Sequence, residues 1–146
     1  AYGDNSVVMP SLAEKQQRIK ELFSGCSSKE EIYEKIIALG AELAPIPSEF
    51  KTAERRVPGC QSNAFLDAHL DNGGVVFEGT ADALISAGLM YLLISVYSGE
   101  TPETILTEEP RYLEEIGITK SITIGRSNGL ASMMLRMKQE ALKLLQ

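Results

Sequence analysis

The residue types that could do chemistry gather around Cys60. It follows the tripeptide Val57-Pro58-Gly59 and precedes Gln61-Ser62, and Lys51, Arg55 and Arg56 lie a short way upstream. Pro58 fixes its own φ near the value that the second residue of a turn needs, and Gly59 accepts the positive φ of the third. Val57 to Cys60 therefore reads as a type II turn, with the thiol at its last position, facing outward or into a shallow pocket. A free thiol has a pKa of about 8.5 and is only a few per cent thiolate at neutral pH, and the thiolate is the form that attacks sulfur. Neighbouring cations and turn amides outside any ladder would raise that fraction. The local residues equally fit a small buried hydrophobe at the mouth of a strand, because a lone cysteine carries no motif in most families.

His69, the only histidine, lies nine positions beyond Cys60. Along a strand that is roughly 30 Å, which argues against a Cys–His pair, and His69 reads as a solvated surface residue rather than a catalytic base. Cys26 falls in a link without a glycine turn or adjacent cations and reads as structural.

The elements that must position Cys60 follow from periodicity and caps. Ser11-Leu12-Ala13-Glu14 is a capping box that opens a helix to about Phe23, ended by Gly25 in the left-handed region. Ser28-Lys29-Glu30-Glu31 opens a second, carried by Ile32, Ile36, Ile37, Leu39 and Leu43, with a bend or stop near Gly40. Pro45 and Pro47 mark the loop toward Cys60. Alternation from Gln61 to Leu70 predicts a strand with Ala64, Leu66, Ala68 and Leu70 on its apolar face. Asp71-Asn72-Gly73-Gly74 then predicts a hairpin returning through Val75 to Glu78. Arg55 to Val57 would add a short third strand, giving a three-stranded antiparallel sheet packed against several helices, an α+β fold.

Thr80 or Asp82 is expected to cap the next helix, to about Ser98. Its run from Leu84 to Val96 shows no polar face and predicts the buried centre of the fold. The uncharged stretch from Ala83 to Gly99 falls short of the ~20 residues that a membrane span needs. Thr101-Pro102 opens a short helix, Pro110 another that Gly117 ends, and Ser127 or Asn128 caps a long last helix carried by Leu130, Met133, Met134, Met137, Ala141 and Leu144.

The chain has 146 residues, net charge −6, 44% hydrophobic and 23% charged residues. Residues 1–10 read as a flexible tail and 11–146 as a single domain large enough for one core. The acidic balance argues against a nucleic-acid partner. Two cysteines in unlike contexts do not make a disulfide framework, which points to a reducing compartment. No signal peptide is visible.

Val57-Pro58-Gly59-Cys60-Gln61-Ser62 resembles the active-site segment of the SufE sulfur-acceptor proteins, and further pieces fall in the family's order. These are Gly79-Thr80-Ala81-Asp82-Ala83, the apolar helix after them, Thr101-Pro102 with Ile105, and Gly125-Arg126-Ser127-Asn128-Gly129-Leu130, so the likeness runs from about Lys15 to Leu144. Phe65, Ala81 and Ile124-Gly125 depart from the family pattern, where Trp, Ser and Pro-Ser are usual. The resemblance implies a SufE/IscU-like fold. It implies a function as a sulfur carrier that takes persulfide sulfur onto Cys60 from a cysteine desulfurase of the SufS type, stimulates it, and delivers sulfur to an iron–sulfur scaffold of the SufBCD type. The chain would be an accessory protein rather than an enzyme, without metal or cofactor of its own, since the pyridoxal phosphate sits on the desulfurase.

Arg56, Gly59, Gln61, Ser62, Asp82 and Arg126 would support Cys60 or bind the partner. Arg126, which the resemblance places near the cysteine loop, would steady the sulfur anion or dock the partner, or else be a solvated helix-start charge. Asp82 reads chiefly as a charge favoured by the helix dipole. The expected setting is the cytoplasm, or the plastid stroma if the N-terminus is the stub of a targeting segment, as a monomer or homodimer without membrane contact. A cluster scaffold would need four cysteines or close substitutes, which two cysteines and one distant histidine do not supply. A thiol-dependent oxidoreductase or peroxidase using Cys60 is the alternative, and an inert interaction domain is a third reading.

Overall fold

The computed structural model describes residues 9–145; of the expected tail at 1–10, residues 1–8 lie outside the described residues. Six α-helices and one antiparallel hairpin follow in the order α1 (Leu12–Leu22), α2 (Lys29–Gly40), β1 (Ala64–Asp71), β2 (Gly74–Ala81), α3 (Leu84–Tyr97), α4 (Pro102–Thr107), α5 (Arg111–Ile116) and α6 (Ile124–Lys143). The class is α+β, as the patterning predicts.

The capping box of α1 forms in both directions: Glu14 N–H donates to Ser11 Oγ at 3.1 Å and Ser11 N–H to Glu14 Oε1 at 2.7 Å. At α2 only half of it forms. Ser28 Oγ accepts from Glu31 N–H at 3.1 Å, while the Glu31 carboxylate takes the Ser27 amide at 2.9 Å. Gly25 does not adopt a positive φ; α1 ends at Leu22, and Phe23, helical in its own backbone, returns its amide to the Lys20 and Glu21 carbonyls.

Helix α3 is the centre. Leu89, Met90, Leu92, Leu93 and Val96 on it are at most 1% exposed, and α1, α2, α6 and β2 pack around it. The nearest approach is to α2, where Gly88 faces the Ile36 carbonyl and Gly40 faces the Gly88 amide. Tyr112 of α5 donates its hydroxyl to the Leu92 carbonyl at 2.7 Å, a buried bond that docks α5 on the same helix. Lys138 fixes α6 to the end of α4 by donating to the carbonyls of Ile105, Leu106 and Glu108 at 2.9 to 3.1 Å. No helix among the described residues is long and apolar enough to cross a membrane.

The hairpin pairs Ala64 with Ala81 through Asp71 with Gly74. Asn72 and Gly73 both have positive φ, 51° and 81°, as a two-residue turn matched to strand twist requires. The expected third strand does not form: the sheet has two strands, and Arg56 makes a single bridge to Phe65. Val57 N–H donates to Ala64 O at 2.7 Å and Leu66 N–H to Arg55 O at 2.8 Å. Pairing stops there because residues 53–55 are in a turn and Pro58 has no N–H. Residues 61–63, expected as strand, form a bend, and β2 runs on to Ala81.

A methyl group on Gly88 would stand 2.0 Å from the Ile36 carbonyl oxygen, against rigid helical backbone. Gly88→Ala is expected to destabilise the protein by about 3 kcal/mol or more, at or beyond the upper end for overpacking, measured by urea denaturation.

Candidate functional site

The site is a loop lying on a helix. Gly59 takes φ +89°, which the turn after Pro58 requires, and the turn delivers Cys60 to the flank of α6. Helix α6 starts earlier than its sequence suggests: Thr123, not Ser127 or Asn128, is the cap, accepting from the Arg126 amide at 3.3 Å. The start at Ile124 makes Gly125, Gly129, Ser132 and Arg136 part of one helix, at spacings of four, three and four that keep to one face.

Residues 54–61 run along that face in the opposite direction. The Gln61 side chain fills the space a Cβ on Gly125 would occupy, and the Cys60 Sγ lies 3.7 Å from where a Gly129 Cβ would sit. Gly59 abuts Ser132, and Arg136 donates to the carbonyls of Arg56 and Glu54. The thiol is half-buried and donates to the Gly129 carbonyl, with Sγ and O 3.7 Å apart.

Burial pushes the Cys60 thiol above its ordinary pKa, and the charges of Arg56 and Arg126 pull it part of the way back. This corrects the expectation that local cations would leave Cys60 more acidic than a free thiol. Lys51 is engaged with Asp82 at 3.0 Å, and Arg55 with Asp67 at 3.4 Å, the Phe50 carbonyl at 3.2 Å and the Phe50 ring at 4.6 Å. Burial thus favours the neutral form of a thiol that lies within reach of two guanidinium charges.

Those charges are held in different ways. Arg56 is exposed, with its Nε on Asn63 Oδ1 at 3.3 Å. Arg126 reaches back to α3, donating from Nη1 to Ser86 Oγ at 3.1 Å, and Ser62 donates to the same oxygen at 2.9 Å. Ser86 is the single polar residue in the buried set of described residues, 3% exposed, and joins the residue after Gln61 to the first turn of α6. Sequence reading passed over it; its signal was a serine within the apolar run of α3. Arg136 was missed because a cation among buried methionines gives no local hint of a backbone partner.

Asp82 does not cap α3. Ala83 occupies the cap position without a side-chain bond, and the Asp82 carboxylate lies below its usual range through hydrogen bonds from Lys51 and Asn63. Leu84 and Ile124, the first residues of α3 and α6, are 68% and 81% exposed, each two positions before one partner of the Ser86–Arg126 bond. On the hairpin, Asp67, His69 and Glu78 bring possible ligand atoms within 4.8 Å of one another, and Arg55 already neutralises Asp67.

Removing a cation from beside the sulfur leaves burial less opposed. Arg126→Gln is therefore expected to raise the pH at which Cys60 ionises and to slow its alkylation by iodoacetamide at neutral pH, read from the rate–pH profile.

Comparison with known proteins bears on the chain as a whole. A family model described as "SufE: Fe-S metabolism associated domain" matches residues 17–141. The chain is 34% identical over 145 residues to SufE-like protein 1, chloroplastic/mitochondrial, of Arabidopsis thaliana; the match takes in 99% of this chain and 39% of that protein's length. It is 33% identical over 138 residues to an uncharacterized SufE-like protein of Synechocystis, covering 94% of this chain and 84% of that one. The solution structure of a hypothetical protein from Thermus thermophilus shares the fold, with a TM-score of 0.71 at 24% identity over 88% of this chain and 94% of that one. The chain belongs to the SufE family, associated with Fe-S metabolism.

Proposed function

We propose that this chain is a sulfur acceptor that receives persulfide sulfur on Cys60 from a cysteine desulfurase, stimulates that enzyme, and passes the sulfur on for iron–sulfur cluster assembly. The observation that carries it is the setting of the thiol: half-buried at the end of a glycine turn, against the Gly129 carbonyl, with Arg56 and Arg126 as the charges that act on it. In the transfer step the Cys60 thiolate attacks the outer sulfur of the donor's cysteine persulfide. A new S–S bond forms at Cys60, the donor's S–S bond breaks, and its inner sulfur leaves as a thiolate that takes up the proton Cys60 lost. No electrons are gained or lost overall, so the step calls for no metal or redox cofactor. The pyridoxal phosphate belongs to the donor, an enzyme of the SufS type.

The raised thiol pKa suits such a carrier. A thiol kept neutral at rest resists oxidants, and becomes nucleophilic when the turn moves out toward a partner and burial is relieved. Arg56 and Arg126 offer charge to the outgoing anion, and the exposed Leu84 and Ile124 offer apolar contact to a visiting protein. A peroxidase would need a standing thiolate, which burial opposes. The receiving scaffold would be of the SufBCD type. The setting would be a reducing one, a cytoplasm or a plastid stroma, and the chloroplastic/mitochondrial name of the Arabidopsis relative supports the second.

Incubation with a desulfurase, cysteine and pyridoxal phosphate is expected to add about one sulfur atom (~32 Da) to the intact mass, lost with Cys60→Ser and kept with Cys26→Ser. No adduct, or one that survives Cys60→Ser, overturns the reading.

A further inference from the structure

The turn that bears Cys60 is held on both sides of the thiol, downstream by Gln61 against Gly125 and by the 2.9 Å bond from Ser62 to Ser86, and upstream by Arg136; the turn itself makes few bonds. Pro58 has no N–H, Gly59 is exposed, and the thiol's own bond to Gly129 is long at 3.7 Å. Upstream, the backbone carbonyls alternate in direction. That of Arg55 accepts from Leu66 in β1 at 2.8 Å, whereas those of Glu54 and Arg56, on either side, both point at α6 and are taken by the two arms of the Arg136 guanidinium. The bond to Arg56 measures 2.9 Å. Arg136 is only 14% exposed and is aimed by Glu140, one turn on, whose carboxylate accepts from its Nε at 3.0 Å.

A planar fork that binds two carbonyls of one segment fixes direction as well as distance, which a lysine could not reproduce. Gly129 and Arg136 are seven positions apart on α6, so the sulfur's acceptor and the loop's anchor share one helix face. Release of 54–56 from that face would leave Cys60 held only from its downstream side, by Gln61 and Ser62.

We propose that Arg136 is the positioning residue that keeps the Cys60 turn on α6, and so sets how readily the thiol leaves shelter to meet a sulfur donor. The role rests on the acceptor reading above; the anchoring itself does not. Arg136 acts through the backbone, since the charges that reach the thiol are those of Arg56 and Arg126.

The test uses the full chain with Cys26→Ser, so that iodoacetamide reports Cys60 alone. Arg136→Gln, which cannot fork to both carbonyls, is expected to speed Cys60 alkylation at neutral pH by about tenfold, the scale of one charge-assisted bond lost from an opening equilibrium. Its rate–pH midpoint should fall toward that of a free thiol. Arg136→Lys, with the charge but not the fork, should lie between, and thermal melts should remain cooperative for both. A lower melting temperature with unchanged alkylation rate and midpoint would make Arg136 a stability residue only and overturn the proposal, as would Lys matching Arg in every readout. Sulfur uptake from a desulfurase is measured on the same proteins. If the parent takes up none while alkylation shifts as described, the acceptor reading falls and takes the role with it, and the anchor alone stands.

Discussion

A polypeptide segment can lie directly on a helix only where the helix presents almost no side chain. On α6 that condition is met by Gly125, Gly129 and Ser132, and the rest of the site depends on it. A Cβ at Gly125 would stand 2.1 Å from the Gln61 amide nitrogen, and one at Gly59 would stand 2.4 Å from Ser132 Oγ. Loop and helix are thus complementary at the level of single methyl groups, as close-packed interiors require. Helix α6 is itself pinned, by Lys138 on the end of α4 and by its methionines in the core, so the surface under Cys60 is a rigid one.

The thiol's character follows from this contact. Burial and charge act on it in opposite directions, and burial prevails. The balance can be changed by a movement of a few ångströms, since lifting the turn from the groove removes the desolvation while Arg56, on the same segment, travels along. A site built this way would be quiet when alone and nucleophilic on displacement, as the sulfur-acceptor role proposed above requires.

Much of this was legible from residue types. The α1 capping box, the Asn72-Gly73 turn, the Thr101-Pro102 start and the buried α3 all rest on local rules, and local rules decided them. The thiol's turn was equally plain, because Pro58 and Gly59 admit few conformations. What could not be read was set by partners distant in sequence. Arg55 and Lys51 looked like charges for the thiol until Asp67 and Asp82 claimed them. The third strand needed amides that a turn and a proline withhold. The start of α6 was misplaced because Thr123 competes with Ser127 and Asn128 for the same cap, and only the packing of Gly125 under Gln61 decides between them. Ser86 and Arg136 matter through atoms 24 to 82 residues away, which no window of sequence reveals.

The central claim is that the Cys60 sulfur rests on α6 at Gly129, and a disulfide trap reads that placement directly. In a chain carrying Gly129→Cys and Cys26→Ser, the new Cβ would stand 3.7 Å from the Cys60 sulfur and 3.9 Å from the Cys60 Cα, so a small rotation of either side chain brings the two sulfurs into bonding range. Mild oxidation should close a bond between positions 60 and 129 quickly and almost completely, seen by peptide mapping. If the pair stays reduced while the same oxidant links other well-placed thiols, the loop does not lie where this account puts it.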